Sequence, residues 1–283
     1  MMRDLPARTG PNAVLRTDSM RIRSLLAVSF ALVCVAPIVL AQPAAVEARS
    51  IESVRGCELR YRVHRPAAPK AGPVVLIGHG FMRDGSYMQG WAEAFTGAGL
   101  IAVTLDFCAS SAVDGRHADN GADLVAVRRA LLQDEAIYVG VSAGGLAALI
   151  AASNDPASTR GLLLLDPTNA GGQARRAAGR VHAPVAALVA KSQVCNAWRN
   201  IDPALQTLRD ATIVAIDRAS HCDFEWPSDP FCRVACLATS NDAEQARAQA
   251  RIRGIAIGFV SAVADAAPSG IAEWKASIGS LLH

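Results

Sequence analysis

Residues 136–150 read AIYVGVSAGGLAALI, an apolar run that breaks at Gly140 and resumes with helix-forming residues after Gly145. The first six residues have the unbroken hydrophobicity of a strand covered on both faces, and the last six favour a helix. Between them stands Gly140-Val-Ser142-Ala-Gly144, a G-x-S-x-G pattern in the strand–turn–helix setting that gives it chemical meaning. A strand that turns sharply into a helix leaves no room for side chains on either side of the serine. Glycines therefore flank it, and the Ser142 hydroxyl is left at the tip of the turn. The free N–H groups at the helix start then lie beside that hydroxyl, as a nucleophilic serine requires.

Outward from this turn the chain repeats the same kind of strand. PVVLIG (73–78), LIAVTLD (100–106), RGLLLLD (160–166), PVAALVA (184–190) and ATIVAID (211–217) are short continuous apolar runs. Helix-compatible stretches fall between most of them, at about 86–98, 119–132, 143–154 and 203–209. A long helix is predicted from Asn241 to about Ala266, opened by the capping box Asn241-Asp-Ala-Glu244 and followed by Pro268. Such alternation predicts an α/β fold with a mostly parallel central sheet and helices on both faces. ELRYRVHR (58–65) instead alternates apolar with charged or polar residues, the period of a half-solvated strand, and is predicted at the sheet edge. With no internal repeat or linker after residue 50, residues 42–283 read as a single domain.

The formal charge of +3 would invite a basic-partner reading, but residues 1–41 carry five basic and two acidic groups, and the remainder is balanced at 23 of each. Nucleic-acid binding loses its support. Arg21-Ile-Arg23, the apolar run Leu25–Leu40 and the small-residue step at Ala41 read as a secretory signal peptide, with translation starting at Met20 and the mature chain near Gln42. Ser29 and Pro37 interrupt an apolar run already short of the ~20 residues that span a bilayer, so no stable membrane anchor is expected after cleavage. The mature chain keeps six cysteines: Cys57, Cys108, Cys195, Cys222, Cys232 and Cys236. An even number behind an export signal predicts disulfides, with Cys57–Cys108 as one pair because both flank early strands. A zinc site built on Cys232, Cys236 and His221 is the rival reading; no paired C-x-x-C supports it, and neither metal nor cofactor is expected.

A nucleophilic serine needs a base. Apart from the terminal His283, His221 alone among the histidines follows the last apolar strand, in the loop where the chain order serine, acid, histidine expects it. Of the others, His64 lies in the strand 58–65, His117 and His182 precede elements on the wrong side of that order, and His79 reads as a buried loop-shaping residue. The acid is less sharply determined. Asp166 ends the strand next to the nucleophile's, whereas Asp217 ends the last strand and Asp223 lies two residues from the histidine. The oxyanion hole is assigned to the backbone N–H groups of Ala143, after the nucleophile, and of Phe81 in the loop Gly78-His79-Gly80-Phe81.

Gly80-Phe81 with Tyr87 beyond, Gly140–Gly145 and Leu165-Asp166-Pro167 resemble the chlorophyllase and platelet-activating-factor acetylhydrolase branch of the α/β-hydrolases, which is also similar to secreted bacterial esterases of the polyester and cutinase type. The resemblance spans about residues 57–227. It implies the α/β-hydrolase fold and, because the triad acid of that branch follows the strand after the nucleophile, it favours Asp166. Chlorophyllases tend to carry His and Arg beside the serine where this chain has Val141 and Ala143, so pigment is not the implied substrate.

Only residues 167–183 separate two predicted strands where lids are commonly inserted, so no sizeable lid is expected and the serine should lie in an open cleft. Trp198 and Trp226 flank it and are expected to form an apolar wall. Taken together, the chain reads as an exported, monomeric serine hydrolase acting on small-molecule or polymer carboxylic esters through an acyl-enzyme. An acyltransferase or amidase with the same triad, and a non-catalytic binding protein of the same fold, are the alternatives.

Overall fold

The computed structural model describes residues 45–111, 115–238, 240–267 and 269–282. The basic start, the apolar run and the cleavage step at Ala41 lie outside the described residues. Along the chain run β1 (Ala45–Glu52), β2 (Glu58–Arg65), β3 (Val74–Gly78), α1 (Gln89–Gly97), β4 (Ala102–Asp106), α2 (His117–Ala130), β5 (Ala136–Val141), α3 (Ala143–Asn154) and β6 (Thr159–Leu165). Then follow α4 (Gln173–Ala178), β7 (Val185–Val189), α5 (Asp202–Leu205), β8 (Ala211–Ala215), α6 (Pro230–Ala235), α7 (Asp242–Ala264) and α8 (Gly270–Leu282).

The strands form one sheet in the order β1-β2-β4-β3-β5-β6-β7-β8. β3 to β8 are mutually parallel, while β2 runs antiparallel to both β1 and β4. In the parallel strands alternate residues enter different cores. Val74 and Leu76 pack with α2, α3, α4 and α5, whereas Val75 and Ile77 pack with α1, α7 and α8. Continuous apolar runs are what this two-sided covering demands. Parallel strands also send all their C-terminal ends to one edge, where the loops after β3, β5, β6, β7 and β8 meet.

The strand 58–65 is not at the edge. β1 pairs with it over its whole length, from Ala45 opposite Arg65 to Glu52 opposite Glu58. Most of β1 is exposed and carries no apolar stripe, so its place is set by main-chain pairing and by Arg65 donating to Glu47 at 2.9 Å. The helix expected over 203–209 is the shorter α5, and α4, α6 and α8 were not foreseen. The capping box at Asn241 forms as expected, with Asn241 accepting from the Glu244 N–H and the Glu244 side chain accepting from the Asn241 N–H.

Candidate active site

Ser142 joins β5 to α3 at φ 55° and ψ −120°, a strained conformation for a residue with a side chain. The turn is tight enough to dictate its neighbours. A Cβ on Gly140 would lie 2.1 Å from the Gly144 carbonyl oxygen, and one on Gly144 would lie 2.3 Å from that of Gly78. Neither position admits any other residue without moving backbone. Ser142 is also bound to the end of β6: its N–H donates to Leu165 O at 3.0 Å, and its carbonyl accepts from the Thr168 N–H at 3.2 Å.

Asp166 follows β6 directly, at φ 42°, with its N–H given to Leu188 O on β7. Its carboxylate is buried and surrounded by donors. Oδ2 lies 2.6 Å from His221 Nδ1, and Oδ1 accepts from the Ala190 N–H at 2.9 Å. Asn196 Nδ2 approaches both oxygens, at 3.4 and 3.3 Å. His221 sits in the turn His221–Phe224 after β8, so the fold joins an acid and an imidazole 55 residues apart, at the strand end to which Ser142 is bound.

Asp217 is 83% exposed in its side chain and faces Arg218, while Asp223 is buried and accepts from the Ser220 N–H at 2.7 Å, closing its own turn. Neither is bonded to His221. Among the described residues no hydrogen bond closes between Ser142 Oγ and the imidazole. Such bonds are often long until substrate tightens them.

The loop after β3 packs on the serine, with a Cβ on Gly80 falling 3.3 Å from Ser142 Cβ. His79 holds the loop's shape, as expected. Nδ1 donates to Gly80 O at 2.8 Å and Nε2 accepts from the Phe107 N–H at 3.0 Å, a pattern that needs a neutral ring. Burial pushes its pKa down, in the same sense. The Met82 N–H is bound to Ser110 O at 2.6 Å, and the Phe81 ring meets His117 edge-on at 5.2 Å. This places Phe81 one residue beyond the glycine that touches Ser142. Ala143 opens α3, where an N–H has no acceptor within the helix.

An ionic strap, missed in the sequence, ties this loop to the histidine loop. Arg83 donates to Glu225 at 2.8 Å and pairs with Asp229 at 3.0 Å, and its guanidinium lies over the Tyr87 ring at 4.5 Å. Glu225 is buried, which raises its carboxyl pKa against the opposing pull of Arg83. Nothing in the sequence marked Arg83 and Glu225 as partners, since they stand 142 residues apart.

The six cysteines among the described residues are all paired: Cys57–Cys108 as expected, with Cys195–Cys236 and Cys222–Cys232. The Sγ atoms of Cys222, Cys232 and Cys236 do lie within 4.8 Å of one another, a set of metal-ligand type. Each is committed to a disulfide, and a disulfide sulfur lacks the thiolate that binds zinc. The two pairs flank the site, since Cys222 follows His221 and Cys195 precedes Asn196.

The tryptophans part ways. Trp226 packs edge-on against Trp91 and beneath the Arg253 guanidinium, which is ordinary core work. Trp198 is 70% exposed and, with Val194 and Leu237, lines a cleft of about 350 Å³ that reaches Ser220, beside the histidine. Its loop is strained. Ala197, Trp198 and Arg199 hold φ 49°, 57° and 59° in succession, a conformation that costs a residue with a side chain roughly 1–2 kcal/mol. Asn196, immediately before them, was also missed, because a lone asparagine in a loop carries no sequence signature.

A parallel sheet with a serine elbow after β5, an acid after β6 and a histidine after β8 is the α/β-hydrolase fold. Neither a protein-family model nor a curated protein sequence matches the chain. Solved structures do. A dienelactone hydrolase from Anabaena variabilis superposes with a TM-score of 0.56 at 22% identity, over 74% of this chain and 95% of that one. A cold-adapted esterase from an Arctic intertidal metagenomic library, in its polyethylene-glycol complex, superposes with a TM-score of 0.55 at 17% identity, over 69% and 95%. At these identities the likeness is one of fold.

Proposed function

We propose that this protein is an exported serine hydrolase that cleaves carboxylic esters through an acyl-enzyme. The observation that carries the reading is the 2.6 Å contact between Asp166 and His221, formed at the strand end to which the strained Ser142 is bound. In this reading Ser142 Oγ attacks the ester carbonyl, and His221 Nε2 takes its proton and passes it to the leaving alcohol. Asp166 holds the Nδ1–H tautomer and stabilises the imidazolium. The backbone N–H groups of Ala143 and Phe81 receive the oxyanion. Water entering after the alcohol leaves repeats the sequence and frees the acid.

Exposed apolar side chains on the loops of the same sheet edge, Phe81, Met82, Val194 and Trp198, favour esters with apolar acyl or alcohol parts. The three disulfides support an oxidising destination. Among the described residues no helix is long and apolar enough to cross a membrane. The test is labelling with a fluorophosphonate and hydrolysis of p-nitrophenyl esters of increasing chain length. Labelling and turnover should both vanish in Ser142→Ala. Folded parent protein that takes no label would defeat the reading and leave a binding protein of the same fold.

A further inference from the structure

Asn196 is fully buried and bonded through every polar atom of its side chain. Its Oδ1 accepts from the Gln193 N–H at 2.9 Å and the Arg199 N–H at 3.3 Å, and its Nδ2 donates to Lys191 O at 2.8 Å. These three backbone partners fix which end of the amide is oxygen, so the remaining N–H must face Asp166. There Nδ2 lies at 3.4 and 3.3 Å from the two carboxylate oxygens. The loop that carries it is held by the Cys195–Cys236 disulfide on one side and by three consecutive left-handed residues on the other. A backbone kept in so unfavourable a form is held there by something.

We propose that Asn196 is a positioning residue for the acid–histidine pair: its amide fixes the Asp166 carboxylate in the rotamer that receives His221 Nδ1–H and moderates how strongly that carboxylate holds the imidazolium. The inference rests on the serine-hydrolase reading. A neutral donor bound to the carboxylate makes it a weaker acceptor, which keeps the imidazolium from being over-stabilised and His221 available as a base. The other charged groups about His221 and its turn are Glu225, paired with Arg83, and Asp223, near Arg233 at 3.8 Å. The variants below leave all four unchanged.

Asn196→Asp adds charge at the same place, because its Oδ1 still accepts from Gln193 and Arg199 while a second carboxyl replaces the donor facing Asp166. A second buried carboxylate about 3.3 Å from Asp166 repels it, and the excess charge is met by a proton held either on the imidazole or between the two carboxylates. Where the imidazole holds that proton, the acid limb of kcat/KM should move up by about one pH unit, which lowers the rate at pH 7 by at most about tenfold, with KM within about twofold. Asn196→Ala, which removes the donor without adding charge, should move the limb upward by about half a unit, with kcat at pH 7 down about two- to threefold. Each is judged on protein that keeps the parent circular dichroism.

A readout independent of turnover is the downfield proton resonance of the hydrogen bond between His221 and Asp166, whose pH titration should shift upward in both variants. A fall in kcat with limb and resonance unmoved would make Asn196 only a loop residue and overturn the proposal, as would parent-like behaviour in Asn196→Ala, which removes the donor outright. If the parent neither labels nor turns over, the hydrolase reading fails by itself. The resonance still decides whether Asn196 tunes the pair.

Discussion

Replacing Asp166 by Asn changes one oxygen to an NH2 in a site where every neighbour is a donor. The Ala190 N–H at 2.9 Å, the Asn196 amide and His221 Nδ1 at 2.6 Å all point at the carboxylate. A neutral amide has one acceptor and cannot serve them all. If its oxygen stays with Ala190, its NH2 faces His221 and forces the ring proton onto Nε2, so the imidazole cannot accept from Ser142. If it turns over, its NH2 meets the Ala190 N–H in a buried site, at about 1–3 kcal/mol. Both states also lose the charge that stabilises the imidazolium. We expect kcat for p-nitrophenyl butyrate to fall by on the order of 10⁴, the scale of the acid-to-amide change in another triad, or about 5.4 kcal/mol at 1.36 per tenfold. KM should change little, because the acid does not touch substrate. Asp217→Asn is the control and should stay within about tenfold, its carboxylate being exposed beside Arg218. Steady-state kinetics on variants with parental circular dichroism decides. If Asp166→Asn keeps more than a tenth of the parent kcat, or Asp217→Asn loses as much, the acid is wrongly assigned.

Arg83→Met strands the Glu225 and Asp229 carboxylates and should destabilise by roughly 3–5 kcal/mol in urea unfolding, whereas Glu225→Gln, which removes a charge that burial already disfavours, should cost less than half of that; the reverse ranking would refute the strap. Denatured, unreduced exported protein should titrate no free thiol, and removing Cys195–Cys236, separated by 41 residues, should cost about 4 kcal/mol against about 3 for Cys222–Cys232, separated by 10. Burial lowers the folded-state pKa of His64, His79 and His117, so the unfolded chain binds their protons first and they withdraw stability as pH drops below about 6.5. Asp223 and Glu225, raised by burial, act in the opposite sense, because the folded state takes their protons first. The decisive comparison is the change in Tm from pH 7.5 to 5.5, which should be less negative in His79→Gln than in the parent; equal slopes would refute a contribution from His79.

Local pattern carried much of the architecture because each parallel strand is covered on both faces. PVVLIG, AIYVGV and the GLLLL segment of RGLLLLD are apolar at every step, and covering both faces of a parallel sheet buries such runs. The elbow was readable for a steric reason, since Gly140 and Gly144 stand within van der Waals distance of other backbone. Where an element is held by main-chain pairing or by a distant partner, the pattern fell silent. β1 has no apolar stripe, so its neighbour was mistaken for the edge, and α4 and α6 are six residues each, too short to show a helical period.

At the site the division is the same. Ser142, His221 and the glycine loop before Phe81 could be singled out in the chain as candidates, because a serine between glycines and a histidine after the last strand follow from the order in which a parallel sheet delivers its loops. Three carboxylates remained open to that reasoning. The resemblance favoured Asp166 among them, and the structure adds that its carboxylate lies 2.6 Å from the imidazole at the end of β6 while Asp217, beyond β8, is exposed. The pairing of Cys195 with Cys236, the Arg83 strap and the Asn196 amide were likewise decided by tertiary structure alone. Periodicity reports what one segment does with water. A hydrogen bond between residues far apart in the chain depends on where two loops end, and only the packed sheet determines that.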